Sequence, residues 1–257
     1  MTATALDAPF ASGRDTRPGL GRLTLVELRK MTDTRAGFWL QLAVVGLTLT
    51  IAGLIIGFGK PEDQTLEKML QATIQPSANL LPVIGILLVS SEWSQRTAQI
   101  SFTLVPRRPR VIGAKLLAAL VVAVAAYAVS VVVALLATAI ANPDFHGAWS
   151  LPAGMLGQLG LMTGIAMIGG VAFGALILNS APAIVAYFLA PIAWAALFSI
   201  HAFSDVAPWV DGSRSYSDMT NHVMSATEWA HVATTTGLWI ALPLAIGTWR
   251  IIRNEVP

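Results

Sequence analysis

The sequence predicts an all-α polytopic membrane protein with six transmembrane helices, and three features carry that prediction. Hydrophobic residues fill 55% of the 257 positions and charged residues only 12%, about half the ~25% charged share of soluble domains. The apolar residues fall into six blocks about 20 residues long, the length that carries a helix across a ~30 Å hydrocarbon core. The basic residues cluster in alternate connections between those blocks, as expected of cytoplasmic loops.

Residues 1–18 mix Thr, Ala, Asp, Pro, Gly and Arg without periodicity and read as a flexible cytoplasmic tail. No apolar h-region occurs in the first 36 residues, so the first span is expected to act as its own insertion signal. Residues 19–35 interleave Leu20, Leu23, Leu25, Val26, Leu28 and Met31 with Arg22, Arg29, Lys30 and Arg35. That pattern predicts an amphipathic helix lying at the inner membrane surface. The first span covers residues 37–58, with Trp39 near an interface and Gln41 as its one strongly polar side chain.

The second span, residues 70–90, is less apolar and contains Pro76 and Pro82, which predict a kink or a broken helix. Gln71, Gln75 and Asn79 recur every four residues, so a continuous helix places all three amides on one face. An unpaired amide facing lipid costs several kcal/mol; that face is expected to meet protein or water.

Between the second and third spans, residues 92–115 carry Arg96, Arg107, Arg108, Arg110 and Lys115 against the single acid Glu92. Such a segment cannot lie in hydrocarbon and is assigned to the cytoplasm. Its first part, residues 91–104, is predicted to form a short helix, while Pro106 and Pro109 stop helix before the third span. The third span, residues 111–141, is longer than the hydrocarbon core, so one end should project from it. A turn at 142–150 leads to a fourth span, 151–178, in which the pairs Gly160/Gly164 and Gly170/Gly174 permit close helix contact. Asn179, Ser180 and Pro182 form a turn and cap before the fifth span, 183–202. Residues 203–230 make the longest polar connection, an external loop with Trp209 and Trp229 as interfacial anchors, and the sixth span covers 231–252.

With both termini inside, the cytoplasmic segments hold 13 of the 16 basic residues, leaving only Lys60, Lys68 and Arg214 outside, whereas eight of the 14 acids fall outside. This bias orients the chain as a multi-pass protein of the cytoplasmic membrane. Single cysteines at Gln95 and Ser213 in this cysteine-free chain are therefore expected to differ toward an impermeant thiol reagent on intact cells. Position 213 labels and position 95 does not; the opposite pattern overturns the topology.

Several chemistries lack their residues. No phosphate loop of the form G-x-x-x-x-G-K-[ST] occurs, so the chain is not expected to hydrolyse ATP or to be an enzyme by itself. The four histidines, His146, His201, His222 and His231, have no ligand spacing, and no metal site is expected. No span carries a charged residue in its central part, which argues against an ion-coupled carrier or an aspartate-dyad intramembrane protease.

Two stretches carry a resemblance: LTLVELRKMTDTR before the first span, and SSEWSQRTAQISFTLVPRRPRVIGAK between the second and third. Their succession resembles the ABC-2 class of ABC transporter permeases, with a type V exporter-like fold. The first stretch is similar to a connecting helix with an E-x-x-K pattern, here Glu27 and Lys30. The second is similar to a coupling-helix loop, here residues 91–115 with Glu92, Arg96, Thr97, Arg107, Arg108 and Lys115. The resemblance spans the six-span domain, 19–257, and implies a second permease subunit, identical or a sister, and two separate ATPase subunits that bind ATP and Mg. It also implies short membrane-dipping helices in the last external loop. No cofactor in this chain and no nucleic-acid partner are expected, with membrane lipid as the surrounding contact.

Each singled-out feature has a plainer alternative. The arginines of the 92–115 segment also serve as topology signal and lipid-headgroup contacts. Glu92 equally suits a helix N-terminal charge or a local salt bridge. Gln71, Gln75 and Asn79 suit either helix-to-helix hydrogen bonding or the lining of a substrate path. For the whole chain the competing reading is a non-transporting scaffold or sensor that recruits a soluble partner through its basic loop.

Overall fold

The computed structural model describes residues 19–94, 108–141, 147–198 and 206–253. These residues are about 89% helical and contain no strand, and six of the helical segments are long and apolar enough to cross a membrane. The protein is an all-α polytopic membrane protein.

Helix α1, Leu20–Asp33, ends at Thr34, whose extended backbone and side chain cap α2, Arg35–Phe58, by accepting from the Gly37 N–H. The second span is two helices, α3 at Leu66–Thr73 and α4 at Gln75–Ser94, interrupted at Ile74. The expected break is thus present, and Pro76, which has no N–H to give the preceding turn, supplies its cause. Pro76 withdraws its donor from the Ala72 carbonyl, and beside it hydroxyls take up the Thr73 carbonyl, which accepts from Ser130 at 3.1 Å and Thr48 at 3.4 Å, the internal satisfaction that a hydrocarbon setting demands.

Helix α5, Arg108–Ala141, has 34 residues, about 51 Å at ~1.5 Å per residue. It outruns the ~30 Å core as expected. Pro109 sits in its first turn, where a missing N–H costs nothing. Helix α6, Met155–Ile177, closes on Leu178 in the left-handed region, φ 57°, and α7, Ser180–Phe198, starts two residues later. The connection before the sixth span, expected to be external, contains α8, Ala207–Val210, and α9, Gly212–Asn221. The sixth span runs from α10, Ala226–Thr236, through five residues of π-helix, Gly237–Ala241, into α11, Leu242–Arg253.

Helix α6 is the hub. A Cβ on Gly170 would lie 2.1 Å from the Pro82 carbonyl oxygen, and one on Gly85 would lie 2.6 Å from the Met167 carbonyl oxygen. The backbones of α4 and α6 therefore touch through glycine on both sides, the close approach that small residues permit in membranes. Gly174 meets Ile86 in the same way, and Gly247 of α11 meets Ala175. Gly160 instead faces the Tyr127 ring, and Gly164 touches nothing, so only the second of the two glycine pairs joins helix backbones.

Two buried apolar clusters stack along the bundle. One, with Leu81, Leu88, Ala119, Met167, Val171 and Ile251, joins α4, α5, α6 and α11 near one membrane face. The other, with Ala52, Met69, Leu70, Val133, Ala137 and Leu159, joins α2, α3, α5 and α6 near the opposite face. The outer faces of α2, α5 and α7 expose Leu42, Leu54, Val124, Leu136, Val185 and Ile192, a surface suited to lipid.

Candidate functional site

Four ionisable side chains meet where α1 crosses the ends of α4 and α5. The Lys115 ammonium lies 2.7 Å from Glu27 Oε2 and 3.0 Å from Glu92 Oε1, and it donates to the Leu88 carbonyl at 3.0 Å. The Lys30 ammonium lies 2.8 Å from Glu27 Oε1 and 2.8 Å from Glu92 Oε1. Signs alternate around this ring, so the four charges cancel. Glu27, Glu92 and Lys115 are 4%, 9% and 6% exposed, which makes the ring an internal structure that only mutual pairing can keep ionised.

Local sequence places each member. Glu27 and Lys30 stand three apart on α1 and share a face, turned inward with Met31. Lys115 lies two turns inside α5, on the buried stripe that includes Val111, Ala114 and Ala118. Glu92 occupies the last turn of α4, where the helix dipole disfavours an acid, and two ammoniums outweigh that penalty. Its placement corrects the expectation of a helix N-terminal charge. The span boundaries change too: residues 91–94, expected to open a separate short helix, continue α4, and residues 108–110, expected to precede the third span, are its first turn. Lys115 is a buried structural cation, since α5 starts early enough to carry it into the bundle.

Burial pulls the Lys30 pKa down, but hydrogen bonds and charge from Glu27 and Glu92 outweigh it and hold the group above its ordinary value of 10.5. A raised folded-state pKa means that Lys30's stabilising contribution is complete below the ordinary lysine range. It is lost as pH rises through the raised value.

Further bonds tie neighbouring elements to this end of the bundle. Arg108 donates to the carbonyls of Ile251 at 2.9 Å and Ile252 at 3.3 Å, and Arg250 donates to the Leu176 carbonyl at 2.7 Å. Each arginine satisfies carbonyls that a helix C-terminus leaves open. Ser90 and Ser180 share a hydrogen bond of 2.8 Å across α4 and α7. Among the sequence candidates, Glu27, Lys30, Glu92 and Lys115 therefore converge, whereas Arg108, at the start of α5, is tied to the last helix. Arg96, Thr97 and Arg107, with most of the expected 91–104 helix, lie outside the described residues.

Comparison with protein families and with curated proteins returns no match. The site is accordingly read from its own geometry.

Gln71, Gln75 and Asn79 do not share one continuous helix, because the break at Ile74 leaves Gln71 on α3 and the other two on α4. Gln71 donates to Glu67 at 3.4 Å. Asn79 donates to the Gln75 carbonyl at 2.9 Å, and both Gln75 and Asn79 are exposed. The amides thus turn away from this chain's own bundle.

Sequence reasoning missed Gln158. Buried in α6, it donates to the carbonyls of Met219 at 2.8 Å and His222 at 2.6 Å and accepts from the Met224 N–H at 3.2 Å. This one carboxamide clamps the external connection to the bundle. The available signal was a lone strongly polar side chain within an apolar, glycine-rich span. Among the described residues no group of three or more His, Cys, Asp or Glu is placed to hold a metal ion.

Proposed function

We propose that this chain is the transmembrane subunit of an ATP-driven exporter of the ABC-2 class, working with a second permease subunit and with separate ATPase chains that bind ATP and Mg. The observation that carries the reading is the buried ion ring. It links α1, the segment resembling a connecting helix, to α4 and α5, the helices on either side of residues 95–107. A force applied to that loop by a partner moves the ends of α4 and α5 together with α1, because separating them unpairs buried charges. Helix α4 then drags α6 through their glycine contact, and the two bundles rock about the path between subunits. This places the loop, the ring and both termini on the cytoplasmic side, and the external helices opposite.

Affinity isolation of the full chain from its native membrane tests the reading. A stoichiometric partner with a phosphate loop and ATPase activity is expected. A Thr97→Pro variant should reach the membrane yet lose that partner. Isolation of the chain without any ATP-hydrolysing subunit contradicts the proposal.

The exposed amides Gln75 and Asn79 fit the wall of a wet path facing a second subunit. In purified complexes Gln75→Leu and Asn79→Leu are expected to leave thermal stability nearly unchanged while altering export. Loss of about 1 kcal/mol of stability each, with unchanged transport per folded molecule, indicates interhelical hydrogen bonding instead.

A further inference from the structure

A cavity of about 390 Å³ opens beside the ion ring, between α1, the start of α2, the end of α4 and the start of α7, within the ~300–1,000 Å³ range of ligand pockets. Its floor is apolar, built from Ile84, Leu87 and Leu88, and its rim carries Lys30. The ring presents its charges to this space unequally. The Lys30 side chain is 41% exposed, whereas those of Glu27 and Glu92 are 6% and 11% exposed. The carboxylates thus sit behind the ammonium, and Lys115 balances them from the buried side. An ammonium has three hydrogens to donate; among the described residues Glu27 and Glu92 take two, and the 41% exposure of Lys30 leaves room for a further acceptor. The first turns of α2 and α7, at Gly37 and Ser180, also border the cavity, turning the positive ends of two helix dipoles toward it.

We propose that this cavity binds the phosphate-bearing head of a membrane phospholipid, with the phosphate at Lys30 and the start of an acyl chain over Ile84, Leu87 and Leu88. The occupant is set by position and charge together. The cavity lies at the basic end of the spans, at headgroup depth, and joins one accessible cation to an apolar floor. A free inorganic anion leaves that floor wet, and an uncharged lipid offers the ammonium no anionic, charge-assisted partner. The inference does not rest on the transport reading, since it holds or fails whether or not an ATPase is isolated with the chain.

The test uses the full chain, purified in detergent and freed of native lipid. Its thermal midpoint is followed against a short-chain phosphatidylglycerol, the matching diacylglycerol without phosphate, and inorganic phosphate alone. The phospholipid is expected to raise the midpoint in a saturable manner, and neither control to do so. Lys30→Gln should weaken the apparent affinity about tenfold to a hundredfold, the loss expected for one charge-assisted hydrogen bond, while Lys30→Arg retains it. Leu87→Trp, which adds bulk to the apolar floor and removes no member of the ring, should abolish the response while leaving the unliganded midpoint near that of the parent. An equal shift with inorganic phosphate marks a free-anion site, and an equal shift with diacylglycerol marks unspecific solvation; either overturns the proposal. So does an unchanged phospholipid response in Leu87→Trp. Conversion of a dimer to a monomer by Leu87→Trp, with no lipid response in the parent, assigns the cavity to a second copy and overturns it as well.

Discussion

Lys115→Met is expected to destabilise the bundle by about 3–5 kcal/mol, the cost of removing one partner from a buried ionic cluster and leaving two carboxylates to the single ammonium of Lys30. The side chain is 6% exposed, and its ammonium pairs with both Glu27 and Glu92 while capping the Leu88 carbonyl. Methionine keeps an unbranched chain one heavy atom shorter and offers no proton to any of the three. Thermal or denaturant unfolding in detergent measures the loss. Adding Glu27→Gln to the Lys115→Met background is expected to restore part of it, because one acid, Glu92, then faces one ammonium, Lys30. A loss below about 1 kcal/mol, the usual worth of an exposed pair, would show that water reaches the ring.

Gly170→Ala is expected to have the second largest effect. The new methyl group falls 2.1 Å from the Pro82 carbonyl oxygen and 2.6 Å from the Pro82 Cα, both backbone atoms that no rotamer change can move aside. Helices α4 and α6 must separate, at a cost of about 3 kcal/mol, the upper end for overpacking. Gly164→Ala, on the same helix, is the control: nothing lies within 4 Å of the added carbon, so its midpoint should match or exceed the parent's, given alanine's better helix propensity. Equal effects at the two positions would mean that α4 and α6 do not meet as described.

The spans were legible because each is a long apolar run bounded by charge, and the break in the second was legible from Pro76. Span starts were less so. The second begins at Leu66 and the sixth at Ala226, ahead of the positions 70 and 231 that hydropathy suggests. Both carry polar N-caps, Thr65 accepting from the Lys68 N–H, and Ser225 with Glu228 forming a capping box. These helices start in polar sequence before they enter apolar sequence, and S-x-x-E was a readable sign of it. All four members of the ion ring were also singled out in the sequence, but in two separate elements. Their meeting joins residues 62 and 88 positions apart, and no local pattern encodes such a distance. Helical periodicity misled at Gln71, Gln75 and Asn79, since a spacing of four aligns side chains only while the helix is unbroken.

In the proposed function the ring joins residues 95–107 to the spans, and the response of a copurifying subunit's ATP hydrolysis to a ring variant tests this claim most directly. Glu27→Gln removes one charge from the ring and leaves the sequence of residues 95–107 unchanged. In complexes isolated from native membranes, it is expected to keep the subunit stoichiometry of the parent while changing the ATP turnover of the bound partner. Unchanged turnover in a complex of the same stoichiometry, or no ATP-hydrolysing partner in either preparation, would contradict the account.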